Sequence, residues 1–277
     1  MAKAARLTFV LVMLCASGPV RTQSSDDIQQ CEKAREFPQR AISGCTRIID
    51  SGRFSGSNLA IALHNRGIAR THLGEYDAAI ADFDMAVSVN PKAAGAFTSR
   101  GIAWHGRGDY ERAIADYDAA IRLNPRDVLA VNNRGLARYF QGQFALAARD
   151  FAQSRQISKP DAYVAIWSYL ARTRHGESVR SEFEQDVREF PNDDWPAPVL
   201  RAYLGQIGPE ALLAASAHSD ARRQAEQRCE ANYYLGQWHV IRGEQERAVA
   251  HFRAAQDQCP RFFLEYTGAS AELKRLK

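Results

Sequence analysis

The residue types that could carry acid–base or metal chemistry are sparse in this sequence. His64 and His72 are eight residues apart, about two turns of a helix, which is too far for both to hold one metal ion without other ligands. Asp193 and Asp194 stand beside Trp195 in a proline-rich stretch, and we interpret them as a solvated turn. The sequence has no glycine-rich phosphate loop, no Gly-x-Ser-x-Gly elbow and no His-Glu-x-x-His helix. We therefore predict no catalytic residue, no cofactor and no metal site.

Charged residues, in contrast, recur at one constant interval of 34 residues along the chain. The arginines of this row are Arg66, Arg100 and Arg134, and the aspartates are Asp82, Asp116 and Asp150. In a later stretch of similar pattern both types change at once, to Leu235 and His251. This joint change predicts salt bridges within or between neighbouring units, where they would set the register of the units. The alternative is a catalytic or anion-binding row.

The same interval describes a unit that repeats along the chain. Residues 65–69 return as residues 99–103, and residues 79–84 return as residues 113–118. A weaker third copy begins at residues 133–137. Each unit has a glycine near its middle and a proline near its end, and both residues interrupt helices. The pattern predicts that each unit is a pair of helices joined by a glycine turn.

Small and aromatic residues recur where the two helices of a unit would touch. The small residues are Gly67, Gly101 and Gly135 in the first helix and Ala79, Ala113 and Ala147 in the second. The aromatic residues are Phe83, Tyr117 and Phe151. Larger residues at the small positions would force the helices apart, so we predict close helix pairs with an aromatic ring filling the space between them.

These features together resemble the tetratricopeptide repeat, over roughly residues 58–160 and 229–260. The resemblance implies an all-α, right-handed solenoid of antiparallel helix pairs, whose concave face is lined by the first helix of each pair. Such a face accepts an extended or helical segment of another protein. The resemblance therefore implies a non-enzymatic scaffold with proteins or peptides as partners.

If the resemblance holds, the side chains that face the groove are mostly apolar, with a few uncharged donors. They are Ile61, His64, Ile68, Thr71, Thr98, Ile102, His105, Leu129, Asn132, Leu136 and Tyr139. The alternative is that neighbouring helices cover several of them. Some tetratricopeptide proteins hold a partner's C-terminal carboxylate with lysines and asparagines from these helices. The matching places here hold His64, Thr98, Ile68 and Ile102, so such a clamp is not predicted.

The rest of the chain extends or caps the repeats. We divide it into a signal peptide (1–22), an N-terminal helical cap with a cysteine pair (23–57), three repeat units (58–160), degenerate helical repeats with a proline-rich break (161–228), and a C-terminal unit with a capping helix (229–277). Residues 24–27 are predicted to cap the first helix. Cys229 is predicted to stand at the start of a helix.

The N-terminal stretch, 1–22, has the pattern of a secretory signal peptide. Lys3 and Arg6 precede an apolar stretch at residues 7–14, and small residues follow at 15–18. An apolar stretch of roughly ten residues is too short to span a bilayer as an anchor. A lipid anchor on Cys15 is the lesser alternative, because the residues before it fit a lipobox poorly.

The mature chain is predicted to be nearly neutral. The full sequence of 277 residues has a formal net charge of +4. Removal of Lys3 and Arg6 with the signal peptide leaves +2, and loss of Arg21 as well leaves +1. This balance gives no reason to expect nucleic acid or an acidic membrane surface as a partner, and no transmembrane span is predicted in the mature form.

Four cysteines remain behind the signal peptide, an even number that favours two disulfides in an exported protein. Cys229 and Cys259 would lie at neighbouring ends of an antiparallel helix pair. Cys31 and Cys45 flank a break between two helices in the same way. Metal binding is the alternative, but the pairs lack close ligand spacing and have no histidine beside them.

The C-terminal part, about residues 160–277, resembles the bacterial NlpI-type lipoproteins in its proline-rich break and in residues 265–273. Those are envelope tetratricopeptide proteins that dimerise and bring peptidoglycan hydrolases to a protease. The resemblance implies a periplasmic or secreted adaptor in a Gram-negative envelope and a possible homodimer; the poor lipobox makes an outer-membrane lipoprotein the lesser expectation. Two alternatives stay open: a lipid-anchored adaptor of the NlpI type, and an accessory domain of an envelope hydrolase.

Overall fold

The computed structural model describes the backbone of residues 20–190, 194–261 and 263–277, and side chains from residue 25 onward. Most of the predicted signal peptide, including Cys15, lies outside the described residues, as does part of the proline-rich break. Within the described ranges, no helix combines the length and apolar character that a membrane span requires.

The described residues form fifteen α-helices and no strand. In chain order they are α1 (Val20–Glu32), α2 (Pro38–Asp50), α3 (Gly56–His72), α4 (Tyr76–Val89), α5 (Ala94–Arg107), α6 (Tyr110–Leu123), α7 (Val128–Phe140), α8 (Phe144–Ile157), α9 (Ala162–Arg174), α10 (Arg180–Arg188), α11 (Ala197–Leu204), α12 (Pro209–Ala215), α13 (Ala221–Ile241), α14 (Gln245–Gln258) and α15 (Leu264–Arg275).

The helices stack as a solenoid of antiparallel pairs. The pairs α3/α4, α5/α6 and α7/α8 are the three predicted repeats, and α13/α14 is the C-terminal one. Each first helix also contacts the first helix of the next unit, from α3 to α5 and from α5 to α7. The first helices therefore form one continuous layer, and the predicted all-α solenoid is confirmed.

Local sequence explains where these helices begin and end. Gly108 ends α5 with a positive φ of 86°, a left-handed conformation that glycine adopts without steric cost. Four helices begin at a capping aspartate whose carboxylate accepts a hydrogen bond from the backbone N–H three residues later. These caps are Asp109, Asp127, Asp161 and Asp220.

The predicted close contact between the helices of a unit is confirmed. A Cβ atom added to Gly67 would lie 2.6 Å from the ring of Phe83, and one on Gly101 would lie 2.6 Å from the ring of Tyr117. Gly236 has the same relation to Phe252 in the C-terminal unit, at 2.5 Å. No side chain fits at these positions unless the ring moves.

Replacing Gly101 with alanine is therefore expected to lower the free energy of unfolding by about 1 to 3 kcal/mol, because Tyr117 is fully buried and cannot retreat. The control is Gly95→Ala in the same helix, where an added Cβ meets no atom within 4 Å. There alanine should be neutral or slightly stabilising, since its helix propensity is higher. Urea denaturation measures both, and a Gly101→Ala variant as stable as the wild type would contradict the packing argument.

Two predicted helix boundaries are wrong. Helix α13 begins at Ala221 rather than at Cys229. The prediction placed the start too late because the first two turns of the helix are polar and exposed and show no apolar stripe. Helix α1 begins at Val20, so residues 24–27 lie inside it and do not cap it. Asp27 is buried there and accepts a hydrogen bond from Arg47 at 2.6 Å, so its carboxylate holds α2 rather than a helix end.

Both predicted disulfides are present. Cys31–Cys45 joins α1 to α2, and Cys229–Cys259 joins the middle of α13 to the end of α14. The Cα–Cα distances are 4.7 Å and 5.0 Å. Each bridge therefore closes one antiparallel helix pair, as the sequence pattern predicted.

The last helix returns to the concave side of the solenoid. Helix α15 contacts α14, α13 and α7. Its Glu272 is fully buried, where it pairs with Arg275 and with Arg174 at 3.3 Å and accepts a hydrogen bond from Gln237 Nε2, also at 3.3 Å. The Tyr139 hydroxyl of α7 donates to Gln237 Oε1 at 2.7 Å. This polar network covers the concave face of the C-terminal units with the chain's own helix.

Candidate protein-binding groove

The predicted salt bridges between the arginine and aspartate rows are present within each unit. Their N–O distances are 2.7 Å for Arg66–Asp82, 2.6 Å for Arg100–Asp116 and 2.7 Å for Arg134–Asp150. The three aspartates are buried. Two of the arginines also form a salt bridge with an aspartate of the preceding unit, Arg100 with Asp84 and Arg134 with Asp118, both at an N–O distance of 2.7 Å. Each of these two guanidinium groups thus joins the second helices of two units, which is the arrangement that the predicted register function requires.

The C-terminal unit replaces this pair with uncharged contacts. Leu235 is buried in the core, and His251 Nδ1 lies 3.0 Å from Asn232 Oδ1. The His251 ring also stacks on the ring of His239 at a centroid distance of 5.2 Å. At this position the last unit therefore has apolar packing and a hydrogen bond in place of the ion pair of the repeats.

An open cavity lies on the concave side of the three repeats, with a volume of about 470 Å³. Its walls come from the first helices α3, α5 and α7, from Tyr76 at the start of α4, and from the start of the C-terminal helix. The lining residues are Thr71, His72, Tyr76, Ile102, His105, Gly106, Asn133, Leu136, Phe263, Leu264 and Thr267. We call this space the groove cavity.

Four residues predicted to face the groove line this cavity: Thr71, Ile102, His105 and Leu136. Leu129 and Ile61 are exposed on the first helices outside it. Ile68 is half-buried and packs against neighbouring side chains of the core. His64 is half-buried, with its Nε2 atom 2.9 Å from Ser99 Oγ. The sequence did not indicate that Phe263, Leu264 and Thr267 would form the opposite wall.

The three remaining predicted residues do not line the cavity. Thr98 is buried and donates a hydrogen bond to Asp127 Oδ2 at 3.0 Å. Tyr139 is buried under the network of α15, and the Oδ1 atom of Asn132 is buried without a partner among the described residues. Contact with a partner stays a prediction for all eleven positions, and it requires a rearrangement at Thr98 and Tyr139.

His105 lies at the floor of the groove cavity. It is 5% exposed, and the rings of Tyr110 and Phe140 stand edge-on to it, with centroids at 5.2 Å and 5.3 Å. Neither ring nitrogen has a hydrogen-bond partner among the described residues. Burial lowers the pKa of His105 to about 4, so the imidazole is neutral at pH 7. The floor of the cavity therefore has no charge.

A second cavity of about 870 Å³ adjoins the first and shares Tyr76, Gly106 and Thr267 with it. It lies between the turns of the first two repeats and the outer side of α15. Four basic residues and no acidic residue line it: Arg107, Arg261, Lys274 and Arg275. We call this space the basic cavity.

Two carboxyl groups lie where α13 and α15 meet, the half-buried Glu230 of α13 and the buried Glu265 of α15. Glu230 accepts hydrogen bonds from the Tyr163 hydroxyl at 2.9 Å and from Trp195 Nε1 at 2.7 Å. Glu265 is 7% exposed, and burial together with the nearby Glu230 carboxylate raises its pKa to about 8. Neither glutamate lines the groove cavity or the basic cavity. Glu265 therefore holds a proton at neutral pH in the contact between the two helices.

The raised pKa of Glu265 predicts that stability falls as pH rises. The unfolded chain releases this proton near the ordinary pKa of 4.5, whereas the folded chain keeps it to about pH 8, so the free energy of unfolding decreases across that window. Glu265→Gln should therefore raise the melting temperature more at pH 8 than at pH 5, and Glu246→Gln, at an exposed position of α14, is the control. Thermal melts at both pH values test this; equal shifts at the two would contradict it.

The burial of Glu272 and Glu265 on α15 was not predicted from the sequence, although a signal was available. Glu265 and Glu272 are seven residues apart, so they lie two turns apart on one helix face, with Gly268 and Ala269 between them. Acidic residues on the same helix face as glycine and alanine indicate a buried polar contact with a neighbouring helix. They do not indicate a capping helix whose acidic face is exposed to solvent.

Comparison with known proteins agrees with this architecture. The sequence model of a tetratricopeptide repeat family matches residues 64–128 and 106–162. The crystal structure of a tetratricopeptide repeat protein from Parabacteroides merdae ATCC 43184 is similar over 90% of this chain and 99% of its own, with a TM-score of 0.60 and 18% identity. A crystal structure of MamA protein is similar over 66% of this chain and 94% of its own, with a TM-score of 0.51 and 18% identity. Residues 64–162 thus contain tetratricopeptide repeats, and the chain folds as a solenoid of that type.

Proposed function

We propose that this protein is a non-enzymatic scaffold that binds a segment of a partner protein in the groove cavity. The observation that carries the proposal is that α3, α5 and α7 together line one open, mostly apolar cavity on the concave side. Open apolar clefts with a few polar groups are the usual form of binding sites, and solenoids of helix pairs present such surfaces to peptides.

We further propose that the protein works outside the cytoplasm, in the periplasm or after secretion. The two disulfides support this location, because disulfides persist in oxidising compartments and are rare in reducing ones. The sequence pattern of residues 1–22 supports it independently. We also propose an adaptor role in a Gram-negative envelope and a homodimer, which the NlpI-type resemblance of the C-terminal sequence would imply.

The alternatives differ in what they predict. A lipid-anchored adaptor for peptidoglycan hydrolases and a protease requires acylation of Cys15, which incorporation of labelled palmitate detects. An accessory domain of an envelope hydrolase would raise the turnover of that hydrolase when added in trans. Substrate turnover by the purified chain alone would contradict the scaffold.

Photo-crosslinking tests the scaffold function. A crosslinking amino acid is placed at Ile102 or Leu136 in the groove cavity and, as controls, at Met85 or Leu123, which are exposed on second helices. With envelope extract, the groove positions are expected to capture a defined partner band that the control positions do not capture. Equal capture at all four positions, or capture only at the controls, would place the binding surface elsewhere.

A further inference from the structure

The groove cavity and the basic cavity form one continuous surface with two different chemistries. They share Tyr76, Gly106 and Thr267, so a ligand in one reaches directly into the other. The groove cavity is lined mostly by apolar groups, and its histidine floor is neutral. A charged side chain entering it would lose its hydration without gaining a partner charge, so this part favours a large apolar side chain.

The basic cavity has unsatisfied positive charge. Arg107 pairs with the exposed carboxylate of Asp77 at 3.1 Å, and Arg275 pairs with the buried Glu272. Arg261 and Lys274 are exposed, and no acidic side chain among the described residues pairs with either of them. Since no carboxylate lines the cavity, an anionic ligand would meet only attractive charges there.

These positive charges differ in origin from the carboxylate clamp considered in the sequence analysis. The clamp would use particular positions of the first helices, and at those positions this chain has the uncharged residues His64, Ile68, Thr98 and Ile102. Here Lys274 and Arg275 come from the C-terminal helix α15, Arg261 precedes that helix, and Arg107 ends α5. The basic cavity therefore exists only because α15 packs beside the repeats.

We propose that the two cavities together bind a partner segment in which a large apolar side chain stands next to a run of carboxylates. This rests on the proposed scaffold function and specifies the chemistry of its partner. The apolar side chain enters the groove cavity beside Ile102, and the carboxylates face Arg261 and Lys274. A protein segment fits better than a nucleic acid, because one half of the surface is uncharged and apolar.

Fluorescence anisotropy with designed peptides tests the proposal. The probes are short labelled peptides in which a phenylalanine stands at varied distances before a run of glutamates. One comparison set has lysines in place of the glutamates, and the other has serine in place of the phenylalanine. The acidic peptides with phenylalanine are expected to bind, both comparison sets to bind at least about tenfold more weakly, and added salt to weaken the binding.

Matched variants assign the two halves of the ligand to the two cavities. Arg261→Glu combined with Lys274→Glu is expected to weaken binding of the acidic peptides by at least about tenfold. Arg122→Glu combined with Arg253→Glu makes the same change in net charge at exposed positions of α6 and α14, and it should leave binding unchanged. Ile102→Ser should reduce binding as much as loss of the phenylalanine does. Thermal melts of each variant show that it is folded.

The outcomes separate this proposal from the scaffold function. Equal binding of the glutamate and lysine peptides, no acidic binding at any spacing, or an unchanged affinity in the Arg261 and Lys274 variant would overturn it. A single-stranded oligonucleotide that binds equally well and is insensitive to Ile102→Ser would also overturn it, by showing a general polyanion surface. In each of these cases, partner capture by crosslinkers at Ile102 and Leu136 would still support the scaffold. Loss of that capture would contradict the scaffold itself.

Discussion

Replacing Arg100 with leucine is expected to lower the free energy of unfolding by about 3 kcal/mol or more, and to leave partner binding nearly unchanged. The substitution removes the bond to Asp116 at 2.6 Å and leaves that carboxylate buried without its partner, which is costlier than losing a surface charge pair. It also removes the bond to Asp84 in the preceding unit. Partner binding should persist, because Arg100 does not line the groove cavity or the basic cavity.

Two further variants test this explanation. Arg100→Leu combined with Asp116→Leu should recover part of the lost stability, because no unpaired buried carboxylate remains. Arg222→Leu removes the exposed Arg222–Glu226 pair and should leave stability nearly unchanged. Urea denaturation gives the stabilities, and crosslinking yield at Ile102 reports binding. Loss of binding at unchanged stability would show that Arg100 contacts the partner.

Removing the Cys229–Cys259 disulfide by replacing both cysteines with alanine is expected to cost about 3 to 4 kcal/mol. The bridge closes a loop with a sequence separation of 30 residues, which restricts the unfolded chain. Cys229 is fully buried in the largest apolar cluster, which reaches from α7 to α15, so the loss should loosen the C-terminal half as a whole. Thermal melts measure the cost, and hydrogen exchange shows where protection is lost.

The Cys31–Cys45 pair serves as the comparison. Its sequence separation is 14 residues, and it lies in a small apolar cluster at the N-terminal end. Its removal should expose α1 and α2 to exchange while the repeats stay protected, as expected for an array in which each unit contacts only its neighbours. Two results for the variant without Cys229 and Cys259 would contradict the stabilisation of the C-terminal half by this disulfide. One is a melting temperature like that of the wild type, and the other is an increase in hydrogen exchange mainly in α1 and α2.

The repeat architecture could be predicted from sequence because its contacts are local and periodic. Gly101 and Tyr117 have the same separation along the chain as Arg100 and Asp116, and each relation recurs in the neighbouring units. A pattern repeated at one spacing indicates a contact even without an alignment. For a related reason both disulfides could be predicted, since each closes a single helix pair.

The position of α15 could not be predicted in this way. It depends on contacts such as Arg174 with Glu272 and Phe140 with Arg275, which are 98 and 135 residues apart and occur once. A single long-range contact has no repeat to reveal it. One wall of the groove cavity and most of the basic cavity were therefore not predicted. Four of the eleven residues predicted to face a groove line the groove cavity, and their contact with a partner stays a prediction.

The return of α15 over α7 also limits how long a ligand the concave side can hold. A partner chain that lies along α3 and α5 meets Phe263 and Thr267 on the opposite wall of the groove cavity, where α15 contacts α7, so it must end or turn away from the surface there. The later units, including α13/α14, then add nothing to the contact area between the partner and this protein. A longer partner segment should therefore bind no more tightly than one that spans three repeats. Under the proposed scaffold function, we therefore expect binding strength to depend on side-chain chemistry within a short stretch of the partner, not on the number of repeats in the chain.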